Sequence, residues 1–360
     1  MPSTRLRSLP LLVLVLLCLV APAAAQARAG SIYWGAAIGE QLTGDEAPWD
    51  MRAATKLEGM LGKSMSLIHF MAPFAQCSSA GCSYYRFPAE EMQTIRNHGA
   101  IPFFSWSSQS IPSRLDEPDF ELSDVIGGRY DDFIRQWARE ARRWGHPFFL
   151  RFNWEMNGDW FPWAEGVNGN RPGESVAAWR HVHDIFSEVG VTNATWVWCP
   201  NVDIGDSLRS LASLYPGDSY VDWAGLDGYN SGTNPGKDDH WRSFDEIYSR
   251  TYRELTQEIA PGKPIAIGEI GSSEQGGSKA HWIGEMLSAL PARYPRIRAL
   301  VWLDKFEGEL DWPIETSPSA VAAFKAGLRN SAYAGARFSS YAATRMIRPA
   351  RANRPQQRPR

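Results

Sequence analysis

Cysteine is scarce: the 360-residue chain holds four, at positions 18, 77, 82 and 199. No second pair and no nearby His cluster accompanies Cys77 and Cys82, which argues against a zinc site. His181 and His183 stand two apart in a segment of helical period and cannot face one ligand. Past the first 27 residues no apolar run is long enough to cross a bilayer. No glycine fingerprint follows an early strand, so a dinucleotide fold has nothing to cradle a pyrophosphate. A phosphate loop and a Ser-His-Asp nucleophile elbow are missing as well. Neither sign of charge dominates, with a formal net charge of -3, so a nucleic-acid partner has no overall electrostatic support. What remains is an enzyme or binding protein that works with its own side chains, without metal or organic cofactor.

The two ends of the chain differ from its middle. Arg5 and Arg7 precede an apolar run over 9–20, followed by small residues at Ala23-Ala24-Ala25 or Ala25-Gln26-Ala27. That order predicts a secretory signal over 1–27, a protein outside the cell, and no membrane attachment after cleavage. In an oxidising compartment Cys77 and Cys82, within one loop, are expected to form a small disulfide, with Cys199 a buried thiol. The stretch 336–360 carries seven Arg and no acid, which predicts a disordered basic tail. Between them, 28–335 shows no linker and no repeat and is expected to form one domain, acting as a monomer.

Eight short runs rich in β-branched and aromatic residues recur along that domain: 32–38, 66–74, 101–106, 148–155, 194–199, 223–229, 264–269 and 299–304. Each has the length of a buried parallel strand. Segments of helical period alternate with them, over 49–61, 89–97, 130–144, 174–189, 243–259, 279–290 and 317–328, with a weak one at 207–214. Ser243 with Glu246 three residues on reads as a capping box. Eight strands alternating with helices predict a (β/α)8 TIM barrel.

Catalytic groups of such a barrel gather at the C-terminal ends of its strands. Those ends supply Trp106, Glu155, Asn201, Tyr229, Glu269 and Trp302. The richest stretch is Arg151–Trp163, in which Glu155 leaves an apolar strand among Trp154, Trp160 and Trp163. Indoles around a carboxyl disfavour its charge, and indole faces are also what sugar rings pack against. Glu155 and Glu269, ending the fourth and seventh strands, form the carboxyl pair that glycoside hydrolysis requires. One is a protonated acid for the leaving oxygen, the other a nucleophile or base. By strand parity Arg151 and Asn153 point with Glu155 into the barrel mouth. Asn153 then meets a sugar hydroxyl or serves as a strand-end amide. Arg151 either pairs with Glu269 or makes a purely structural ion pair.

The ordered set Trp154-Glu155-Met156-Asn157-Gly158, Trp160 and Trp163, Trp196-Val197-Trp198 with Pro200-Asn201, Gly225-Leu226-Asp227-Gly228-Tyr229, Gly268-Glu269 and Trp302 resembles glycoside hydrolase family 26. The resemblance implies a retaining barrel enzyme with Glu155 as acid/base and Glu269 as nucleophile. It further implies Tyr229 beside the nucleophile and Trp302 under the cleaved sugar. Retention predicts carboxyl groups roughly 5 Å apart. The substrate implied is a β-linked polysaccharide cut internally, in the first place β-1,4-mannan. One departure bears on this: mannan-cleaving members carry His before the acid/base, and this chain has Trp154. Mixed-linkage β-glucan and β-1,3-xylan therefore stay open, as does a non-catalytic glycan-binding barrel.

Overall fold

In the computed structural model, which describes residues 31–203, 205, 209–233, 240–335 and 346–350, eight parallel strands close into a ring. They are β1 (Ile32–Ile38), β2 (Leu67–Ser78), β3 (Ile101–Ile111), β4 (Phe148–Phe152), β5 (Ala194–Trp198), β6 (Trp223–Asn230), β7 (Ile265–Ser272) and β8 (Ile297–Asp304). Each pairs with its sequence neighbour. β1 closes the ring, with six paired residues on β8 from Tyr33↔Ala299 to Ile38↔Asp304 and two on β2. At the short seam with β2, a Cβ on Gly35 would collide with the Leu67 carbonyl, so glycine is what lets the two backbones meet. This is the TIM barrel expected from the sequence.

Helices fill the crossovers, and their sequences explain them. The helix Asp131–Trp144 buries Ile134, Trp137, Ala138 and Ala141 on one face and ends at Gly145, in the left-handed conformation that a Cβ would penalise. The helix Phe244–Glu254 starts at a complete capping box of Ser243 and Glu246 and runs on as a π-helical turn over Leu255–Ile259. Between β5 and β6 the described residues contain one short helix, Leu211–Leu214. Among the described residues no helix is long and apolar enough to cross a membrane.

Four strands outrun their expected ends, β6 and β7 slightly and β2 and β3 the most. β2 and β3 continue to Ser78 and Ile111, and β2 folds back on the strand Gly81–Tyr84, across which Cys77 and Cys82 are bridged by a disulfide. β4, by contrast, stops at Phe152, short of Glu155. Inside the ring, Tyr33, Phe103, Phe149 and Trp223 form an aromatic layer. Toward the strand ends it gives way to the polar side chains of His69, Ser105, Arg151 and Asp227, all fully buried.

The expected signal segment 1–27 lies outside the described residues. Of the stretch 336–360, read as a disordered tail, residues 346–350 are described, and they are docked under the barrel. Ile347 is fully buried; its N–H donates to Thr195 Oγ1 and its carbonyl accepts from Trp223 Nε1. Tyr33 donates to the Arg348 carbonyl, while Ser31 and Arg298 donate to that of Ala350. Sequence composition missed this because a single buried Ile among Arg and Pro carries no periodicity.

Candidate active site

The chain leaves β4 through two residues in the left-handed region, Asn153 at φ 40° and Glu155 at φ 53°. Side chains other than glycine adopt that conformation only where surroundings hold it. Here the Glu155 N–H donates to the Cys199 carbonyl at 2.8 Å, and the Glu155 carbonyl accepts from Gly158 at 3.1 Å. The carboxyl is held at both oxygens: Asn201 Nδ2 donates to Oε1 at 2.9 Å and Trp160 Nε1 to Oε2 at 2.7 Å. The Trp160 ring lies over Gly158, where any Cβ would collide with it. Strand parity therefore does not carry past Phe152. Asn153 turns aside and exchanges hydrogen bonds with Ser108 at 2.8 Å through both amide atoms. Of its two expected readings the structure shows the satisfied strand-end amide: it ties the end of β4 to β3.

Glu269 stands on β7 and faces Arg151 and Tyr229. Arg151 Nη2 donates to Glu269 Oε1, and the Tyr229 hydroxyl donates to Oε2 at 2.5 Å. Arg151 has no exposure at all; its Nη1 donates to Asp227 Oδ2 at 2.5 Å and its Nε to Ser105 Oγ at 2.8 Å. The Trp154 ring covers its guanidinium at 4.8 Å. Asp227 Oδ1 in turn accepts the Glu269 backbone N–H at 2.6 Å. One buried cation thus serves two carboxylates, of which Glu269 reaches the surface.

These surroundings drive the two glutamates apart. Burial, then the charges of Asp227 and Glu269, push Glu155 up to about 8, against the Trp160 hydrogen bond and Arg151. Burial works to raise Glu269 too, but the Arg151 charge and the donors on both oxygens outweigh it and hold Glu269 down at about 2. Burial, followed by the Glu269 charge, raises the Tyr229 phenol well above its ordinary value, which keeps it a donor. Near neutral pH the cleft therefore presents Glu155 protonated and Glu269 ionised.

Both glutamates line one cleft of about 440 Å³, together with Trp154, Trp160, Phe161, Asn201, Tyr229 and Trp312. That volume is in the range of small-ligand sites. Three tryptophans expected at the sugar lie elsewhere. Trp106 points outward from β3 and stacks on Trp137 at 4.5 Å. Trp163 is fully buried behind Trp154, its N–H spent on the Trp154 carbonyl. Trp302 faces the helix layer, edge-on to Phe324, and donates to the Trp312 carbonyl at 2.9 Å. Trp312 takes the place expected of Trp302: it lines the cleft and packs on Tyr229 at 5.1 Å. It comes from the loop after β8, where the chain doubles back at the Glu307–Leu310 bridge. Asn201, expected at a strand end, and Asp227, quoted within the Gly225–Tyr229 motif, prove to touch Glu155 and Glu269 respectively. Among the described residues no group of His, Cys, Asp or Glu could hold a metal ion.

Comparison with known proteins places this geometry in context. Residues 96–272 match the sequence model of glycosyl hydrolase family 26. Over 276 residues the chain is 34% identical to Endoglucanase H of Acetivibrio thermocellus, spanning 76% of this chain and 28% of that protein. Over 230 residues it is 28% identical to a mannan endo-1,4-beta-mannosidase of Bacillus subtilis, spanning 60% of this chain and 57% of the relative. The chain thus spans less than two thirds of either relative's own length. In fold it resembles the catalytic domain of the Bacillus sp. JAMB-750 endo-beta-1,4-mannanase, with a TM-score of 0.65 at 18% identity, covering 88% of this chain and 91% of that one.

Proposed function

The chain belongs to glycosyl hydrolase family 26, and on that premise we propose that it is a secreted, retaining endo-β-glycosidase. The observation that carries the reading is a pair of buried carboxyls on one cleft whose surroundings favour opposite protonation states. Glu269, ionised and aimed by Arg151 and Tyr229, attacks the anomeric carbon. Glu155 gives its proton to the leaving oxygen. With the leaving group gone, Glu155 takes a proton from water, which then releases the sugar from Glu269. Trp312 and Trp160 supply apolar faces for the rings on the cleft. Export from the cell is supported by the basic and apolar N-terminal segment together with the Cys77–Cys82 disulfide.

Two glycans are supported by different observations. β-1,4-Mannan is supported by the 28% identity, over 230 residues, to a Bacillus subtilis protein named as a mannan endo-1,4-beta-mannosidase. A β-glucan is supported by Trp154, which seals Arg151 beside the acid, and by the 34% identity to a protein named as an endoglucanase. Reducing ends released from soluble mannan, mixed-linkage glucan and β-1,3-xylan, with the product anomer followed by NMR, test both levels. Retention and loss of activity in Glu269→Ala are expected. An initially inverted anomer, or full activity in that variant, overturns the mechanism.

A further inference from the structure

The mechanism above leaves the buried thiol of Cys199 unused. Cys199 immediately follows β5 and is a free thiol with no exposure. It touches Glu155 directly and is linked to Glu269 through Asp227. Its carbonyl accepts the Glu155 N–H at 2.8 Å, and so helps hold Glu155 in its left-handed conformation. Its Sγ stands 3.1 Å from Asp227 Oδ1, the same oxygen that accepts the Glu269 N–H at 2.6 Å. Around the thiol the sequence leaves room by using glycine. A Cβ on Gly268 would lie 2.9 Å from Sγ and 2.7 Å from Asp227 Oδ1, and one on Gly225 would lie 2.6 Å from Sγ.

Resting on the glycosidase reading, we propose that Cys199 is a positioning residue for that reaction, its S–H donating to Asp227 so that this carboxylate stays ionised between Arg151 and the Glu269 backbone. Alanine would fill part of the same slot but donate nothing; serine would donate through a shorter arm. Burial, then Asp227, raises the thiol's pKa well above its ordinary value, so the group keeps its proton and can donate it to Asp227. Burial is also the largest influence on Asp227 and favours its neutral form, so each donor it keeps matters. The groups facing Asp227 are Arg151 from β4, Glu155 beyond it, Cys199 after β5, Tyr229 on its own strand, Glu269 on β7 and Tyr248 from the helix Phe244–Glu254. Arg151 alone among them is cationic, and it is shared with Glu269.

The test has two arms. In a Cys18→Ala chain Cys199 is the only thiol outside the disulfide, so the infrared S–H stretch reports on it whether or not any glycan is cleaved. The band should lie below that of an unbonded thiol and move up in Asp227→Asn or on acidification. A band at the unbonded position, indifferent to both, overturns the proposal. In the second arm, Cys199→Ala should lose roughly threefold to tenfold in kcat with little change in KM, and the acidic limb of its pH profile should move upward. Cys199→Ser should return both toward wild type. A Cys199→Ala profile superimposable on wild type would reduce the thiol to a space filler. Failure of the wild-type chain to cleave any of the three glycans would count against the glycosidase reading, and the infrared arm would still decide on the thiol.

Discussion

The indole N–H of Trp160 reaches back five residues to donate to Glu155 at 2.7 Å, from a ring that rests on Gly158. A donor to a carboxyl favours its ionised form, so Trp160 restrains the rise that burial imposes on Glu155. Trp160→Phe should therefore push the Glu155 pKa further up. The alkaline limb of kcat/KM should move to higher pH by about half a unit to one unit, with kcat lower by about tenfold as the base of the second step loses its support. Gly158→Ala should reproduce the loss by displacing the ring. An unchanged alkaline limb in Trp160→Phe would refute the assignment.

Glu155 also sets a cost in stability. Its ordinary value is 4.5 and its folded value about 8. Between those two pH values the folded chain retains a proton that the unfolded chain releases, so this group makes stability fall as pH rises through the window. Glu155→Gln should be inactive by at least about a hundredfold. It should melt above wild type at pH 8, with the gain shrinking to nothing near pH 4.5. Thermal melts across that range check the sign.

Trp312 and Trp302 should separate cleanly. Trp312→Ala removes a cleft wall and should lower kcat/KM by about tenfold to a hundredfold. Trp302→Phe keeps the ring among the helices but leaves the Trp312 carbonyl without its donor. Its main effect should be a lower Tm, about 1–3 kcal/mol of stability, with kcat/KM changed far less. The reverse pattern would restore Trp302 to the sugar.

The segment 346–350 predicts a boundary. A chain ending at Ala350 keeps every bond that this segment makes under the barrel, and its Tm should match wild type. A chain ending at Arg345 should melt several degrees lower, and Ile347→Ala should cost about 2 kcal/mol or more. Equal melting of both truncations would show that the docked segment contributes nothing.

The barrel was legible because each strand is a dense apolar run bounded by helical period. Ile32–Ile38 and Glu174–Val189 fell where pattern alone placed them. Glu155 and Glu269 were legible as a pair, because two carboxyls following apolar runs of one barrel, among aromatics, have fewer structural explanations than one. The sugar platform was not, since an indole reads the same in a core and on a rim. Trp106 and Trp302 share the parity of Phe104 and Leu300, and that outward-facing register was the signal available to place them in the core. Parity itself failed after Phe152, where the backbone turns left-handed. Trp312 lay beyond pattern altogether, in a loop whose position depends on the reversal at Glu307–Leu310.

The seam of the ring has a consequence for how the chain reaches this shape. Tyr33 of β1 lies beside Ala299 of β8, 266 residues further along. Its other neighbour, β2, offers only two paired positions. Bringing such distant partners together costs loop-closure entropy before any contact repays it. The pairing of the first strand with the last cannot form before residues 299–304 exist, so on a ribosome closure of the barrel is expected to follow synthesis of almost the whole domain.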